Sequence, residues 1–546
     1  MRFSLKGLLV FLATFAVLLL LHLRLLRLPY FWDEAGYYIP AAQDFYHSWL
    51  LIPASTQPIG HTPLVMIYLG LAWRLFGCSV WVARAAMTLI AAATLTSLYL
   101  LGRRVATREI AAWSALLLAL SPLFFAQSTL AHLDLTVALF TTLAVLFLLD
   151  AQLWLFALAA SLAVLSKETA VVLLPLAWLY AWRRGRGLAT GRRVRLPMLV
   201  PLVAPLVPLA AWTLYYHHVT GFWTGNREYL SYNVYSTLSP ARAFWSLLRR
   251  AYELFVSGFN WLLTACAAVG FWWGRKGEIR NWKLDTRNST LETRRSKFET
   301  RNLKRLAGFE LPVSNFERRV ASPDPEAPPW RQFLFLTARL VAIYLLLLSL
   351  VGGAILPRYL LPVLPLFYLV TVALVTRLPR LPARLILATA AACFVWAWFI
   401  NPPCPFPFED NLAYADFIRL HQQAARYLEA QPGQPRILTA WPASDELARP
   451  FLGYVGYPLR VVPMGGFAAL DFAQVKPESF DWLYLYSQKW EPPGNWSSRL
   501  PPWVRVPMRY FDYHSQVAAE ALAARYHLRL RAEMQHRGQW VKIYSH

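Results

Sequence analysis

Two adjacent carboxylates, Asp33 and Glu34, stand in an aromatic stretch that reads Phe31-Trp32-Asp33-Glu34-Ala35-Gly36-Tyr37-Tyr38. On a regular helix successive side chains diverge by about 100°. The two therefore cannot face one point: one is placed to act while the other holds structure, and Asp33 equally fits the N-cap of a helix running toward Trp49. Further along come His61 in Pro58-Ile59-Gly60-His61-Thr62-Pro63 and Arg84 in Trp81-Val82-Ala83-Arg84. Asp134 follows in Ala131-His132-Leu133-Asp134, Lys167 and Glu168 in Ser166-Lys167-Glu168-Thr169, and Arg358 with Tyr359 in Leu356-Pro357-Arg358-Tyr359. Each has a plain structural reading: an interfacial His, an Arg that snorkels to lipid head groups, a Lys–Glu ion pair. As chemistry, the carboxylates suit removal of a proton from a hydroxyl. The arginine forks and the lysine point charge suit a phosphate, which a protonated His61 would also bind.

These residues sit in a chain that is too apolar to be soluble. Of its 546 residues 57% are hydrophobic and 15% charged, against roughly 45–50% and 25% in soluble domains. The chain has 24 Trp, 26 Tyr and 32 Phe, more apolar surface than its few charges can cover in water. This identifies an integral membrane protein and excludes disordered, collagenous and disulfide-scaffold classes. The net charge of +24 arises from short basic runs at the ends of apolar segments, the pattern of cytoplasmic loops, and does not point to nucleic acid. The cysteines, Cys78, Cys266, Cys393 and Cys404, are scattered and form neither a metal-binding pair nor a disulfide framework. No small-residue cleavage site follows the first apolar run, which therefore reads as a retained helix.

A membrane-crossing helix needs about 20 apolar residues. Candidates are 7–28, 80–101, 110–128, 133–150, 152–166, 169–182, 197–216, 252–273, 332–351, 359–376 and 384–400. Placing Arg103, Arg104 and Arg108, the run Arg183–Arg195, Arg275 and Lys276, and Arg377, Arg380 and Arg384 on the side of Arg2 and Lys6 is consistent for eleven crossings. The N-terminus is then cytoplasmic and the C-terminus outside. Pro63–Phe76 spans only about 21 Å at 1.5 Å per residue and reads as a juxtamembrane or re-entrant helix on the outer face. By this parity all the polar clusters named above fall on one side. They would line a cavity beside lipid that suits a phosphate head on an apolar tail, together with a hydroxyl to be deprotonated.

Outside the spans lie an aromatic-rich outer loop (29–79), a basic cytoplasmic insertion (274–330) and a C-terminal region (401–546). In the insertion Leu284, Leu291 and Phe298 recur every seven residues, each followed by an acid, Thr and Arg. One apolar position per heptad cannot form a coiled-coil seam, so the insertion reads as mostly disordered. In the C-terminal region a helical pattern at 411–430 is followed by a strand at 436–440, a helix near Ser444 and apolar runs at 459–462, 482–486, 526–530 and 539–544. This predicts an α/β domain on the outer face. Trp441, Asp445, Glu446 and Tyr454 read as packing and helix-start residues there as readily as ligand-binding ones.

On these motifs the chain resembles the GT-C superfamily of membrane glycosyltransferases, and within it glycosyltransferase family 39, the bacterial proteins similar to protein O-mannosyltransferases and lipid A aminoarabinose transferases. The matching elements are the Asp33-Glu34 pair, His61-Thr62-Pro63-Leu64, the Arg84 segment, Asp134, Ser166-Lys167-Glu168 before Leu174-Pro175, and Pro357-Arg358-Tyr359-Leu360-Leu361-Pro362. The resemblance covers roughly 1–400 apart from the insertion. It departs at His61-Thr62-Pro63, where relatives often carry His-Pro-Pro or Lys-Pro-Pro. It implies an all-α polytopic catalytic domain (1–400) of about eleven transmembrane helices with outer juxtamembrane helices, and an extracytoplasmic α/β domain (401–546). The setting it implies is the bacterial plasma membrane. The implied activity is transfer of a sugar, with inversion, from a polyprenyl-phosphate donor to an acceptor oxygen on a protein, glycolipid or wall polymer. Asp33 would be the general base, with Glu34 and Asp134 beside it. Lys167, Arg84 and Arg358 would bind the donor phosphate, and Tyr37, His61, Glu168 and Tyr359 would support the site or bind sugar. No ligand set compels a metal, although Glu34 with His61 would make a partial divalent site. The competing reading is a transporter or flippase of lipid-linked or charged solutes; the absence of two similar halves counts against it.

Overall fold

Capping residues and prolines set the ends of the helices through which the site is built. Ser79 caps α4 (Val80–Val105) by accepting from Val82 N, and Thr107 caps α5 (Arg108–Leu120) by accepting from Ile110 N. These hydroxyls satisfy backbone donors that the first helical turn leaves free. The expected single crossing at 110–128 is divided at Ser121-Pro122, after which α6 (Pro122–Gln127) starts. The first helix, α1 (Leu5–Leu21), ends earlier than the apolar run does; residues 22–28 form turns pinned by His22, whose ring contacts the Leu18 and Phe125 carbonyls. The computed structural model describes residues 5–58, 60–186, 196–274, 329–402, 405–473, 475–491, 501 and 516–546. Most of the 274–330 insertion, with its heptad repeat, therefore lies outside the described residues.

Three helices follow the polar loop after α1: α2 (Ile39–Ser48), α3 (Leu64–Phe76) and, beyond α6, α7 (Leu133–Leu149). Helix α4 is central and packs on α1, α3, α5 and α7. α8 (Leu153–Ser166) lies along α7, and a short 3₁₀ turn (Glu168–Val172) leads into α9 (Leu173–Arg186). Then come α10 (Leu196–Val203), α11 (Leu206–Thr220), α12 (Arg227–Asn233), α13 (Pro240–Phe255), α14 (Ser257–Gly274), α15 (Pro329–Leu350), α16 (Leu364–Val375) and α17 (Arg380–Ala397). The span expected at 252–273 is in fact a pair, α13 and α14, bent by 45°. Among the described residues four helices are long and apolar enough to cross a membrane, the bent pair makes a fifth, and six shorter apolar helices accompany them. The exposed side chains of these helices include Leu8, Leu9, Leu12, Trp178, Leu381, Leu385 and Trp396, the surface expected against lipid.

The short α3 is as expected too brief for an unaided crossing, and it packs on α2 and α4. Gly70 lets α2 and α3 meet closely: a Cβ there would sit 2.5 Å from the Phe45 ring.

The C-terminal unit contains α18 (Ala413–Glu429) and α19 (Ala443–Ala448), followed later by α20 (Ala519–Arg525). Among the described residues its strands are β1 (Ile437–Ala440), β2 (Val461–Met464), β3 (Trp482–Tyr486), β4 (Arg529–His536) and β5 (Gln539–Ser545). They form one sheet in the order β2-β1-β3-β5-β4, in which β1 pairs parallel with β2 and β3, and β5 pairs antiparallel with β3 and β4. The alternation of short strands and helices read from the sequence is thus an α/β sheet unit.

This unit is docked on the loop that carries Asp33. Tyr30 N donates to Leu452 O (3.2 Å) and Tyr454 hydroxyl to Tyr30 O (2.9 Å). The Trp441 ring lies 5.5 Å from both Trp32 and Tyr37, directly over Gly36, where a Cβ would collide with the indole. Gly36→Ala therefore overpacks this joint and lowers stability by about 1–3 kcal/mol. Replacing Trp441 by Ala in the Gly36→Ala background removes the collision; thermal unfolding in detergent should show the two effects to be non-additive.

Candidate functional site

The loop after α1 sends its two carboxylates in opposite directions. Trp32 has φ of +50°, a backbone conformation costly for a bulky side chain, and the next residues wind as a π-helical turn (Glu34–Tyr38) rather than an α-helix. Asp33 begins that turn but makes no side-chain cap hydrogen bond. Glu34 points inward and is fully buried. Its Oε1 accepts from Arg84 Nη1 (2.8 Å) and from Ala131 N, and its Oε2 accepts from Phe31 N (2.8 Å). Burial pushes the Glu34 carboxyl up; Arg84 and the two backbone donors oppose this. Arg84 is equally committed, with Nη1 also on Thr129 O (2.9 Å) and Nη2 on Pro29 O (2.6 Å). This pair ties α4 to the loop behind the site.

Asp33 instead meets Arg358. The 3₁₀ turn Pro357–Leu360 delivers this buried guanidinium to the junction of several distant segments. Its Nη2 donates to Asp33 Oδ2 and its Nη1 to Glu409 Oε2 (2.6 Å). Nη1 also lies 3.2 Å from His132 Nε2, and Nε, which has no hydrogen-bond partner, is 3.7 Å from Asp134 Oδ2. His132 Nδ1 is 2.7 Å from Gln127 Oε1, while Gln127 Nε2 donates to Glu409 O (3.2 Å). The network assigns one tautomer: Nδ1–H donates to Gln127 and Nε2 accepts from Arg358. Burial, then Arg358, holds His132 well below the usual range, so it is neutral. Of the three carboxylates around Arg358, Asp33 is the most open, its side chain 19% exposed against 3% for Asp134 and 5% for Glu409.

On the far side of Asp134, Lys167 Nζ donates to Oδ1 (2.7 Å) and stands 4.0 Å over the Tyr359 ring. Lys167 and Glu168, adjacent in sequence, diverge: Glu168 takes His61 Nδ1 at 3.1 Å. Beyond Tyr38, whose ring is 6.4 Å from His61 and edge-on to His132 at 6.1 Å, a small recess opens among Tyr37, Gln57, His61, Trp212 and Tyr216. From α13, Arg250 donates Nε to Leu348 O (3.1 Å) and points at Tyr359 (5.7 Å), and both its buried Nη groups lack a partner. A buried guanidinium with two idle donors is placed for an anionic ligand.

Comparison with known proteins follows this geometry. Residues 60–218 match the family model described as dolichyl-phosphate-mannose-protein mannosyltransferase. In structure the chain is similar to ArnT from Cupriavidus metallidurans bound to undecaprenyl phosphate, with a TM-score of 0.53 and 14% identity over 99% of this chain and 98% of that one. The likeness to ArnT is one of fold. The apo state of the same ArnT matches with a TM-score of 0.50 and 14% identity over 98% of this chain and 97% of that one. The archaeal oligosaccharyltransferase AglB from Archaeoglobus fulgidus, in complex with an inhibitory peptide and a dolichol-phosphate, gives 0.43 and 13% identity over 87% and 69%. No curated protein matches the chain in sequence. The segment matched by the family model contains His61, Arg84, Asp134 and Lys167 but neither Asp33 nor Arg358.

The structure thus gathers Asp33, Asp134, Lys167, Arg358 and Tyr359 at one point, with His61 and Glu168 beside them and Tyr37 on the recess wall. It corrects two placements. Arg84, expected at the donor phosphate, is turned away under residues 28–31 with its donors spent on Glu34 and carbonyls. Glu34, expected beside the general base, is sealed behind it. The partial metal site of Glu34 with His61 does not form, because each faces a different partner; among the described residues no three His, Cys, Asp or Glu side chains converge as a metal set.

Sequence reasoning missed Glu409, His132, Gln127 and Arg250. The signals were an acidic pair in the Pro- and Phe-rich 405–410 stretch, and arginines at 242, 249 and 250 just ahead of the apolar run at 252–273. Removing one partner of the Glu34–Arg84 pair strands a buried charge, at a cost of about 3–5 kcal/mol. Glu34→Ala should accordingly lower the unfolding temperature steeply, whereas Asp33→Asn, at a partly open carboxylate, should shift it little.

Proposed function

We propose that this protein transfers a sugar from a polyprenyl-phosphate donor to an acceptor oxygen on the outer face of the membrane, by single displacement with inversion. The observation that carries the reading is the Asp33–Arg358–Asp134–Lys167 constellation on a GT-C fold: a partly open carboxylate in contact with buried cations. Asp33 takes the acceptor proton as the acceptor oxygen attacks the anomeric carbon. The bond from that carbon to the phosphate oxygen breaks, and polyprenyl phosphate departs with the electron pair. Fixed positive groups stabilise the charge that gathers on the leaving phosphate; Arg358, Lys167 and Arg250 fill that role, and Tyr359 packs among all three. In the resting arrangement Arg358 occupies an Asp33 oxygen. Donor phosphate draws the guanidinium off and frees that oxygen for the acceptor.

The aromatic side chains Tyr37, Trp212 and Tyr216 around the recess suit sugar C–H surfaces, and His61 among them is held in place by Glu168. The parity of the basic loops supports an N-terminus inside, the C-terminal unit outside and about eleven crossings. The setting favoured is the bacterial plasma membrane.

Purified protein incubated with radiolabelled polyprenyl-phosphate sugars should pass label to a hydroxyl acceptor. Asp33→Asn should lower kcat by about 10²–10⁴ with donor binding retained, while Lys167→Ala should weaken donor binding as well; an Asp33→Asn enzyme with the original rate would remove the proposed base. In sealed, right-side-out vesicles, and in a background without the native cysteines, Ala54→Cys should react with an impermeant maleimide and Arg108→Cys should not. The reverse pattern would place the site on the cytoplasmic side and end the outer-face reading.

A further inference from the structure

The C-terminal unit contributes a charged group to the reaction centre. Glu409 lies in a short 3₁₀ turn (Phe408–Asp410) that precedes α18 and packs on α6 and on the Arg358 turn. The Phe408 ring lies 5.3 Å from that of Phe417 of α18, tilted by 36°, and anchors the turn there. The Glu409 side chain is buried, and its Oε2 takes Arg358 Nη1 at 2.6 Å while its Oε1 has no hydrogen-bond partner.

Consider what a phosphate must do to reach Arg358. Four of the guanidinium's contacts are taken, by Asp33, Glu409, His132 and Asp134, and only Nε lacks a hydrogen bond. An incoming phosphate has to displace a carboxylate. Asp134 keeps Lys167 as a second cation, and Asp33 has an open side toward the acceptor. Glu409 has neither: apart from Arg358 its contact is neutral His132, 3.8 Å away. Deprived of Arg358 it would be a bare buried carboxylate, which is far costlier than a buried carboxylic acid.

We propose that Glu409 is a positioning residue for Arg358, a latch that yields the guanidinium to the donor phosphate and takes a proton from bulk water as it lets go. The inference rests on the donor reading above. The groups that face Glu409 act in concert. Burial pushes its carboxyl up to about 7 even with Arg358 in place; Arg358 opposes the shift, and Asp33 and Asp134 reinforce it. Its neighbour Asp410 is half-buried with an unpartnered, buried Oδ1 and is raised well above the usual range, facing Glu253 and Arg249 of α13. From α6 comes neutral Gln127 and from α18 an aromatic ring. Withdrawing Arg358 removes the one strong opposing charge, so the shift grows when donor binds. The sign follows. Below about pH 7 Glu409 is already protonated and donor affinity is flat; above it each binding event must take up a proton, and affinity falls as pH rises, by at most about tenfold per pH unit.

The test uses methyl undecaprenyl phosphate, a phosphodiester with no proton to lose between pH 6 and 9, titrated into the full-length protein in detergent. Wild-type affinity should hold level to about pH 7 and then decline. Calorimetry at pH 8 in two buffers of different ionisation heat should show uptake approaching one proton per ligand. Glu409→Gln, which keeps the side-chain shape, should bind as well at pH 8.5 as at pH 6.5. A slope due to any other group would survive in that variant, so an unchanged slope in Glu409→Gln overturns the latch. Absence of proton uptake by the wild type overturns it independently of any variant. Failure of both proteins to bind the phosphodiester at any pH overturns the donor reading, and the latch with it.

Discussion

Arg358 is a guanidinium stripped of water, and such a group persists only if carboxylates and acceptors surround it closely. In this chain no single segment supplies them. Asp33 comes from the loop after α1, His132 and Asp134 from the start of α7, and Glu409 from the turn that opens the C-terminal unit. One desolvated charge therefore fixes the mutual position of four stretches separated by up to several hundred residues. The rest of this end of the molecule is arranged so that those stretches arrive together. The Glu34–Arg84 pair clamps the first loop to α4, and the Trp441 indole over Gly36 holds the C-terminal sheet against the same loop.

Two kinds of buried ion pair thus serve different ends. Glu34 and Arg84 satisfy each other and nearby backbone groups almost completely, leaving nothing for a ligand. Arg358 and Lys167 are held by carboxylates that outnumber them locally, and several polar atoms around them, including Arg358 Nε, Glu409 Oε1 and both Arg250 Nη groups, have no partner. Buried polar atoms are ordinarily paired, and clusters of exceptions mark places where function overrides stability. The incompleteness of this second network distinguishes it from a structural clamp of similar composition.

The helices were largely legible because their signals are local. Long apolar runs lie within the helices they specify, whereas the chain breaks at Ser121-Pro122 inside the expected 110–128 crossing. The misreadings arose where neighbours overrode the local pattern. The apolar run of α1 continues past Leu21, yet His22 finds the Phe125 carbonyl and the chain turns. The amphipathic residues from Pro240 onward bend at Ser257 rather than crossing as one straight helix. The short strands after residue 436 were readable in place and number, but not their order, because strand pairing is set by distant partners.

For the site, the sequence by itself determined the residue types, their positions and their divergence: adjacent carboxylates such as Asp33 and Glu34 cannot share a target, since backbone geometry sends neighbouring side chains apart. It also determined, through apolar length and basic loops, that the chain belongs in a bilayer. Only the tertiary structure decided which carboxylate meets which cation. Arg84 and Arg358 look alike as isolated motifs, and what distinguishes a spent guanidinium from an available one is the set of acceptors within hydrogen-bond reach. Glu409 was invisible as a site residue for the same reason: its role comes from a contact across 51 residues, and Coulomb forces in a low-dielectric interior depend on distance through space, which the order of residues along the chain does not record.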